Sequence, residues 1–233
     1  MKQSLSKQSL DIIFEDNHII VVNKPVGRLV QGDSTGDEPL SETVKTYLKH
    51  KYNKAGNVYL GVVHRLDRPT SGVLLFAKTS KALSRLNKQF SERQTQKIYW
   101  AMVKNKPDKN QARLTHYLKR NPIQNKSYAY PKEIPSSKQA ILKYKVLKSL
   151  EHYHLLEIEI ETGRHHQIRS QLSYIGSPIK GDLKYGAKRS NPDGGIHLHA
   201  KKLCLIHPTK KEKMCFEAKL PDDRLWQNVE EKH

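Results

Sequence analysis

The chain has 233 residues, and its 42 lysines and arginines against 23 aspartates and glutamates give a formal net charge of +19 that is spread along the sequence. A basic excess of this size predicts a polyanionic partner bound through phosphate groups, with an anionic membrane surface as the alternative. No apolar run approaches the roughly 20 residues that cross a bilayer, and the first ten residues lack the apolar core of a signal peptide, so we expect a cytoplasmic protein without a membrane partner.

The first half of the chain alternates short apolar runs with turn residues, which predicts strands. The expected strands are residues 12–14, 19–22, 60–63 and 73–77. The first two surround turn residues at 15–17 and indicate a β-hairpin. A loop at 28–39 precedes a short helix at 41–50, and Thr79 is a good N-cap for a helix that runs to about Arg93.

The second half continues with strands at 97–103, 140–147, 153–160, 196–206 and 214–220. Residues 119–137 show little periodicity and are expected to form an exposed excursion. Residues 162–176 switch to helical spacing, and Gly176 ends that helix. Strands outnumber helices without alternating with them, so we predict an α+β fold with a mixed, mainly antiparallel central sheet. One domain is expected at 11–221, between tails at 1–10 and 222–233.

The two cysteines, Cys204 and Cys215, lie in strand-like apolar runs without metal-binding spacing. We expect both to be reduced core residues, because that is the usual state in a cytosolic protein. A disulfide is the alternative.

One carboxylate stands between two arginines in a turn that Pro69 and Gly72 punctuate, within the sequence HRLDRPTSG at 64–72. Asp67 is expected to be ionised at pH 7, because neighbouring cations favour the charged form of a carboxylate. An ionised carboxylate suits a nucleophile better than an acid. The alternative is a surface ion pair in a connecting loop, which would contribute little.

A second polar cluster, ETGRHHQIR, lies at a strand-to-helix junction and ends at Arg169. Gly163 can turn the chain there. The first helical turn would then present backbone N–H groups beside Arg164, His166 and Gln167, which is an anion-binding arrangement. Arg169 lies about a turn and a half beyond Arg164, so it can point inward to a buried carboxylate. The alternative is that these residues only cap the helix and solvate its exposed side.

The segment at 64–72 resembles the signature of the RluA-type pseudouridine synthases, and further motifs follow in the order of that family. They are NKPVG at 23–27, KIYWA at 97–101, TGRHHQIR at 162–169, GSPIKGD at 176–182 and LHA at 198–200. The resemblance spans roughly residues 11–220. It implies the pseudouridine synthase fold with a basic catalytic cleft. It also implies an enzyme that isomerises specific uridines in structured ribosomal or transfer RNA.

The resemblance implies roles residue by residue. Asp67 falls on the catalytic aspartate and Arg169 on the arginine that pairs with it. Tyr99 falls on the tyrosine near the target base, with an ordinary core aromatic as the alternative. Arg65 falls on the arginine that enters the helix stack where the target uridine leaves, since a guanidinium both stacks and hydrogen-bonds. The other implied RNA contacts are His64, Arg68, Lys24, Arg164, His166 and Gln167.

Two departures from the family pattern lie beside the arginine. His165 stands where the family usually has a small or hydroxyl residue, and Ser170-Gln171 stands where Val-His is common. These changes bear on RNA contacts more than on chemistry. We expect no added RNA-binding domain of the S4 type, so the basic surface and loops would choose the target.

The sequence contains little that indicates a metal or cofactor site. His197 and His199 share one face of a strand, but no cysteine or carboxylate has matching spacing, so we expect no metal. The glycine motifs that cradle nucleotide phosphates do not occur, which argues against a nucleotide cofactor. The prediction is a monomeric enzyme without a cofactor. The alternatives are a non-catalytic RNA-binding or RNA-chaperone protein of the same fold, and a metal-dependent RNA hydrolase.

Overall fold

A computed structural model of the chain describes residues 10–33 and 35–230. These residues form one sheet with helices packed on both of its faces. The strands are β1 (Ile12–Glu15), β2 (Ile19–Lys24), β3 (Gly61–Val62), β4 (Ser71–Ala77), β5 (Gln96–Val103), β6 (Gln111–Asn121), β7 (Lys126–Tyr130), β8 (Lys138–Ser149), β9 (His154–Ile160), β10 (Leu198–Ile206) and β11 (Lys213–Glu217). The helices are α1 (Leu40–Lys51), α2 (Ser80–Ser91), α3 (Gln167–Tyr174) and α4 (Arg224–Glu230), with a 3-10 turn at Leu183–Tyr185.

The strand order is β1-β2-β4-β10-β5-β9-β8-β6-β7, with β11 paired to β10 and β3 paired to β4. Strands β4 and β10 run parallel, and the other paired strands run antiparallel. The predicted α+β fold with a mixed, mainly antiparallel sheet is therefore confirmed. At the parallel contact Gly72 has φ 116°, and a Cβ there would overlap the Ala200 carbonyl oxygen. Only glycine lets the turn that carries Asp67 approach the centre of the sheet.

Strands β2 and β4 are buried on both faces, because helices cover them from both sides. Ile19 and Val21 pack in one cluster with Leu86 of α2. Ile20 and Val22, which point the other way, pack with Val44 and Leu48 of α1. A continuous apolar strand between two helices explains why these strands read as uninterrupted hydrophobic runs. In the described residues no helix is long and apolar enough to cross a membrane.

Most of residues 119–137 are exposed, as expected, but eight of the 19 lie in regular strands that the sequence analysis did not predict. Strand β6 runs through residue 121, and β7 pairs with it antiparallel from Asn121 and Lys126 to Tyr117 and Tyr130. The inward face of β6 carries His116 between apolar residues, and many exposed lysines and arginines obscure the alternation. A hairpin with a tight turn at 122–125 therefore lies beside the second polar cluster.

Two further expectations are corrected at the C-terminal end. Cys204 and Cys215 lie directly opposite each other across β10 and β11 and form a disulfide, so the reduced state was wrong. The sequence does not specify the hairpin register that brings them together. The segment expected as a tail from 222 includes α4, whose Trp226 packs with Met102 and Leu155 and is 3% exposed.

Candidate active site

A cleft of about 700 Å³ opens between the turn that precedes β4, the end of α2, strand β5 and the turn that precedes α3. Its charged lining is mostly cationic, with six arginines and lysines against two carboxylates. Such a lining attracts a polyanion and raises its local concentration. The cations are Arg65, Arg93, Lys97, Arg120, Arg164 and Arg169, and the carboxylates are Asp67 and Glu161.

The turn that carries Asp67 is fixed by its backbone and by a buried lysine. The Thr70 N–H donates to the Asp67 carbonyl oxygen at 3.0 Å. The Lys24 ammonium donates to the carbonyl oxygens of Pro25 at 2.9 Å and Arg68 at 3.2 Å. Burial lowers the pKa of Lys24 to about 7, an effect that the charge of Asp67 opposes. Because Lys24 is fully buried, it supports the turn from inside, and its expected contact with RNA is contradicted.

Arg169 joins Asp67 to a second carboxylate, Asp182. Its Nη1 donates to Asp67 Oδ2 at 3.0 Å, and its Nε and Nη2 donate to the two carboxylate oxygens of Asp182 at 2.7 and 2.8 Å. The predicted contact with Asp67 is confirmed. The deeply buried partner, however, is Asp182, whose side chain is 1% exposed against 29% for Asp67. Although burial opposes it, the bonds to Asp182 raise the pKa of Arg169, so the guanidinium stays charged.

His166 precedes α3 in a left-handed conformation with φ 52°. Its Nδ1 lies 3.0 Å from the Tyr185 hydroxyl, and its Nε2 lies 3.5 Å from Asp67 Oδ2. The ring stacks on that of His165 with centroids 3.8 Å apart. Burial, followed by the charge of Arg169, lowers the pKa of His166 to about 2. The ring is therefore neutral at pH 7 and lies against the carboxylate, where it cannot serve as a cationic phosphate ligand.

Gln167 closes the turn that precedes α3, which begins later than the sequence predicts. Its side-chain oxygen accepts from the Arg164 N–H at 3.0 Å and from the Thr162 hydroxyl at 2.8 Å, and its amide donates to the Ile141 carbonyl at 3.0 Å. Gln167 is 4% exposed. Although Gln167 borders the cleft, these bonds engage its side chain within the turn, which favours a supporting role over the expected RNA contact. Arg164 lines the cleft, with its Nε bound to the Gln139 carbonyl oxygen.

His64 also has a structural role. Its Nε2 accepts the Leu75 N–H at 3.1 Å, and its ring stacks on Phe90 with centroids 5.2 Å apart. Burial, followed by the charge of Lys97, lowers the pKa of His64 to about 4, so the ring is neutral at pH 7. These contacts use His64 to hold the Asp67 turn against α2 and β4.

The two arginines that flank Asp67 differ in their contacts. Arg65 is exposed at the cleft, and its guanidinium makes no hydrogen bond with any described residue. Arg68 lies outside the cleft lining, where it pairs with Asp37 at 2.7 Å and donates to the Gly27 carbonyl oxygen at 3.0 Å. Arg65 thus has no partner among the described residues, whereas Arg68 is engaged within its loop.

Tyr99 lies on β5, between β9 and β10, and lines the cleft. Burial, together with the negative charge of Asp67, raises the pKa of Tyr99, so its phenol stays protonated at neutral pH. The ring also packs against both core clusters that meet at this strand. Tyr99 therefore packs in the core and also lines the cleft.

Several residues of the site carry no recognisable signal in the sequence. Asp182 was part of a quoted motif but received no role, and Tyr185 follows it in the same loop. Three further cations line the cleft, although the sequence suggested for them only a contribution to the overall positive charge. They are Arg93, Lys97 and Arg120. These residues reach the site through contacts between elements that are distant in sequence, and no local spacing of residues predicts such contacts.

The histidines that were weighed as metal ligands have partners within the protein. His197 binds Asn191 at 2.8 Å and Asp223 at 3.0 Å, and His199 Nδ1 lies 2.9 Å from the Ser71 hydroxyl. Both rings also lie beside Trp226 of α4, with centroids 5.3 and 6.1 Å away.

Comparison with known proteins agrees with this geometry. A family model described as RNA pseudouridylate synthase matches residues 18–174. The chain belongs to the RluA-type RNA pseudouridine synthase family. Enzymes of this family isomerise uridine in RNA to pseudouridine, so the chain is an RNA-modifying isomerase.

Alignments with known pseudouridine synthases extend over most of this chain. A ribosomal large subunit pseudouridine synthase C from Rickettsia felis is 37% identical over 216 residues, which cover 90% of this chain and 67% of that protein. A ribosomal large subunit pseudouridine synthase D from Zymomonas mobilis is 33% identical over 224 residues, with 92% and 70% covered. The structure of human RNA pseudouridylate synthase domain containing 4 superposes with a TM-score of 0.76 at 25% identity, over 93% of this chain and 90% of that one.

Proposed function

We propose that this pseudouridine synthase modifies specific uridines in structured ribosomal or transfer RNA, with Asp67 as its nucleophile. The observation that carries the proposal is the position of Asp67, a partly exposed carboxylate fixed by Arg169 in a cleft lined mainly by cations. The names of the two bacterial relatives make large-subunit ribosomal RNA the first substrate to test. We further propose that the enzyme acts as a monomer in the cytoplasm.

The reaction needs no oxidant, reductant or added group. The bond from N1 to C1′ breaks, the base rotates, and a bond from C5 to C1′ forms. C5 then loses its proton, and N1 ends with one, so substrate and product are isomers. An ionised Asp67 could add to the sugar or the base and later leave, or remove a sugar proton that it afterwards returns. In each route the carboxylate is regenerated.

The remaining cleft residues divide between chemistry and RNA binding. Tyr99, protonated and close enough to Asp67 for its charge to matter, is proposed to stack near the target base and assist proton transfer at C5. Arg65 is proposed to fill the space that the flipped base vacates. Arg164 and Arg120 are proposed to contact phosphates. Lys24, His64 and Gln167 act by holding these groups in place.

Release of tritium from RNA labelled at C5 of uridine tests this function, because C5 loses its hydrogen in the reaction. Transcripts of structured large-subunit ribosomal RNA and of transfer RNA would be compared. We expect time-dependent release from at least one of them by the purified chain without added cofactor. Binding of both RNAs without release would support the non-catalytic alternative instead.

Arg65→Ala should slow conversion strongly and leave the salt dependence of RNA binding nearly unchanged. A residue that enters the stack contributes to the flipped complex, whereas the dispersed cations govern the first encounter. Single-turnover rates would be compared on a stacked target and on a target in an already unstacked loop. Part of the lost rate should return on the unstacked target, where extrusion costs less. An equal defect on both targets would remove this role from Arg65.

Lys97 and Arg93 form a cationic corner of the cleft that has no counterion among the described residues. Lys97 lies two residues before Tyr99 on the same face of β5, roughly 7 Å along the strand. Its ammonium lies 5.6 Å from the centroid of Phe90, and burial together with Arg93 lowers the pKa of Lys97. Two unpaired cations beside the target base suit a phosphate of a flanking nucleotide.

Lys97→Met should raise KM for RNA without changing kcat at saturating RNA. The slope of log affinity against log salt should become shallower by about 1, the value for one lost phosphate contact. Lys145→Met is the matched control, because Lys145 lies on the opposite face of the sheet outside the cleft and carries the same charge. If both variants changed the slope equally, Lys97 would contribute only general charge.

A further inference from the structure

Tyr185 connects the β6–β7 hairpin to the residues around Asp67. Its side chain is buried, and its hydroxyl oxygen accepts the Ser127 N–H at 2.8 Å. The same hydroxyl lies 3.0 Å from His166 Nδ1. Ser127 supplies a hydrogen and cannot receive one, so the phenolic hydrogen points to the only other hydrogen-bond partner of the hydroxyl in the described residues, His166 Nδ1. Nδ1 therefore accepts and carries no proton.

The position of the phenolic hydrogen fixes the tautomer of His166. A neutral imidazole carries a single proton, which must then lie on Nε2. Nε2 faces Asp67 Oδ2 at 3.5 Å. In this tautomer an N–H dipole points at the carboxylate, whereas the other tautomer would direct a lone pair toward it. Burial and the charge of Arg169 keep the ring neutral by lowering the pKa of His166.

The two oxygens of the Asp67 carboxylate differ in their contacts. Oδ2 accepts from Arg169 at 3.0 Å and faces His166, whereas Oδ1 receives no hydrogen bond from any described residue. The ring of Tyr185 also lies under the Arg169 guanidinium, 5.0 Å from its centre. Tyr185 thus touches both groups that hold Oδ2.

We propose that Tyr185 is a positioning residue for the reaction, which holds His166 in the tautomer with its Nε2–H toward Asp67 and so leaves Oδ1 as the oxygen that acts on the substrate. The proposal rests on the proposed role of Asp67. His166 has φ 52°, a conformation that non-glycine residues rarely adopt. The hydrogen bond to Tyr185 and the stack on His165 hold it there.

Tyr185→Phe tests the proposal, since it removes the hydroxyl and keeps the ring under Arg169. We expect kcat to fall by about 10- to 100-fold, the range for a misplaced reacting group, with KM and RNA affinity unchanged. Tyr144→Phe is the matched control. It also removes a phenolic hydroxyl, bonded to the Lys109 carbonyl oxygen on the other side of the core, and should leave kcat unchanged.

A second measurement does not depend on activity. Nitrogen NMR of the His166 imidazole in the wild type should show a protonated Nε2 and an unprotonated Nδ1. In Tyr185→Phe the spectrum should show a mixture of the two neutral tautomers. In a His166→Gln background, which keeps an N–H donor near Asp67, Tyr185→Phe should cause little further loss of kcat. A wild-type proton on Nδ1, or a Tyr185→Phe enzyme with unchanged kcat, would overturn the proposal. If Asp67→Asn remained active, the role of Asp67 would fail instead, and the tautomer result would still stand.

Discussion

Asp67→Asn should abolish isomerisation while leaving RNA affinity nearly unchanged. The amide keeps the size of the carboxylate and can still accept from Arg169 through its oxygen, so the turn is expected to fold as before. It lacks the negative charge that adds to the substrate or removes its proton. Tritium release from C5-labelled RNA measures the loss of turnover, and filter binding measures the affinity.

Asp37→Asn is the matched control for this change. Asp37 is an exposed carboxylate that pairs with Arg68 at 2.7 Å, so the variant removes the same charge close to the same turn. Its turnover should equal that of the wild type. Turnover by Asp67→Asn beyond the amount that deamidation supplies, as measured by mass spectrometry, would refute the catalytic role.

Arg169→Ala should both inactivate the enzyme and lower its free energy of unfolding by about 3–5 kcal/mol. The large effect on stability comes from Asp182, which is 1% exposed and would lose the guanidinium that donates to both of its carboxylate oxygens. The loss of activity comes from Asp67, whose Oδ2 would lose its donor. Denaturant unfolding and tritium release measure the two effects separately.

An exposed pair provides the control for stability. Arg113 makes a similar two-bond contact with Glu161, but its side chain is 50% exposed, so Arg113→Ala should change stability little. Replacing Arg169 by Met and Asp182 by Leu together should restore most of the stability, because no unpaired charge remains buried. It should not restore activity. An Arg169→Ala protein as stable as the wild type would show that the buried pair does not support the fold.

The candidate site was predictable where its residues form continuous motifs. The turn with Asp67, the cluster with Arg169 and their pairing could be inferred from the sequence, although 102 residues separate them. The partners that complete the site could not. Asp182 and Tyr185 meet Arg169 and His166 only through packing of the 3-10 turn against α3, which no local pattern encodes.

Several polar residues were predicted to contact RNA because a sequence motif contains residues that bind the substrate as well as residues that only hold the site in place. Lys24, His64 and Gln167 have the side chains of nucleic-acid ligands, but all three bond to backbone groups, and the fold buries Lys24 and Gln167 and half-buries His64. Burial depends on neighbours distant in sequence, so residue type alone cannot separate the two roles. The same reason applies to the β6–β7 hairpin, whose inward face carries the polar His116.

The most direct measurement of the central claim is a map of pseudouridines in total RNA from a deletion strain complemented with the wild-type chain, with Asp67→Asn or with an empty vector. We predict that one or more uridines in structured ribosomal or transfer RNA are modified only in the strain with the wild-type chain. A map that is identical in all three strains, with the proteins expressed, would contradict the account.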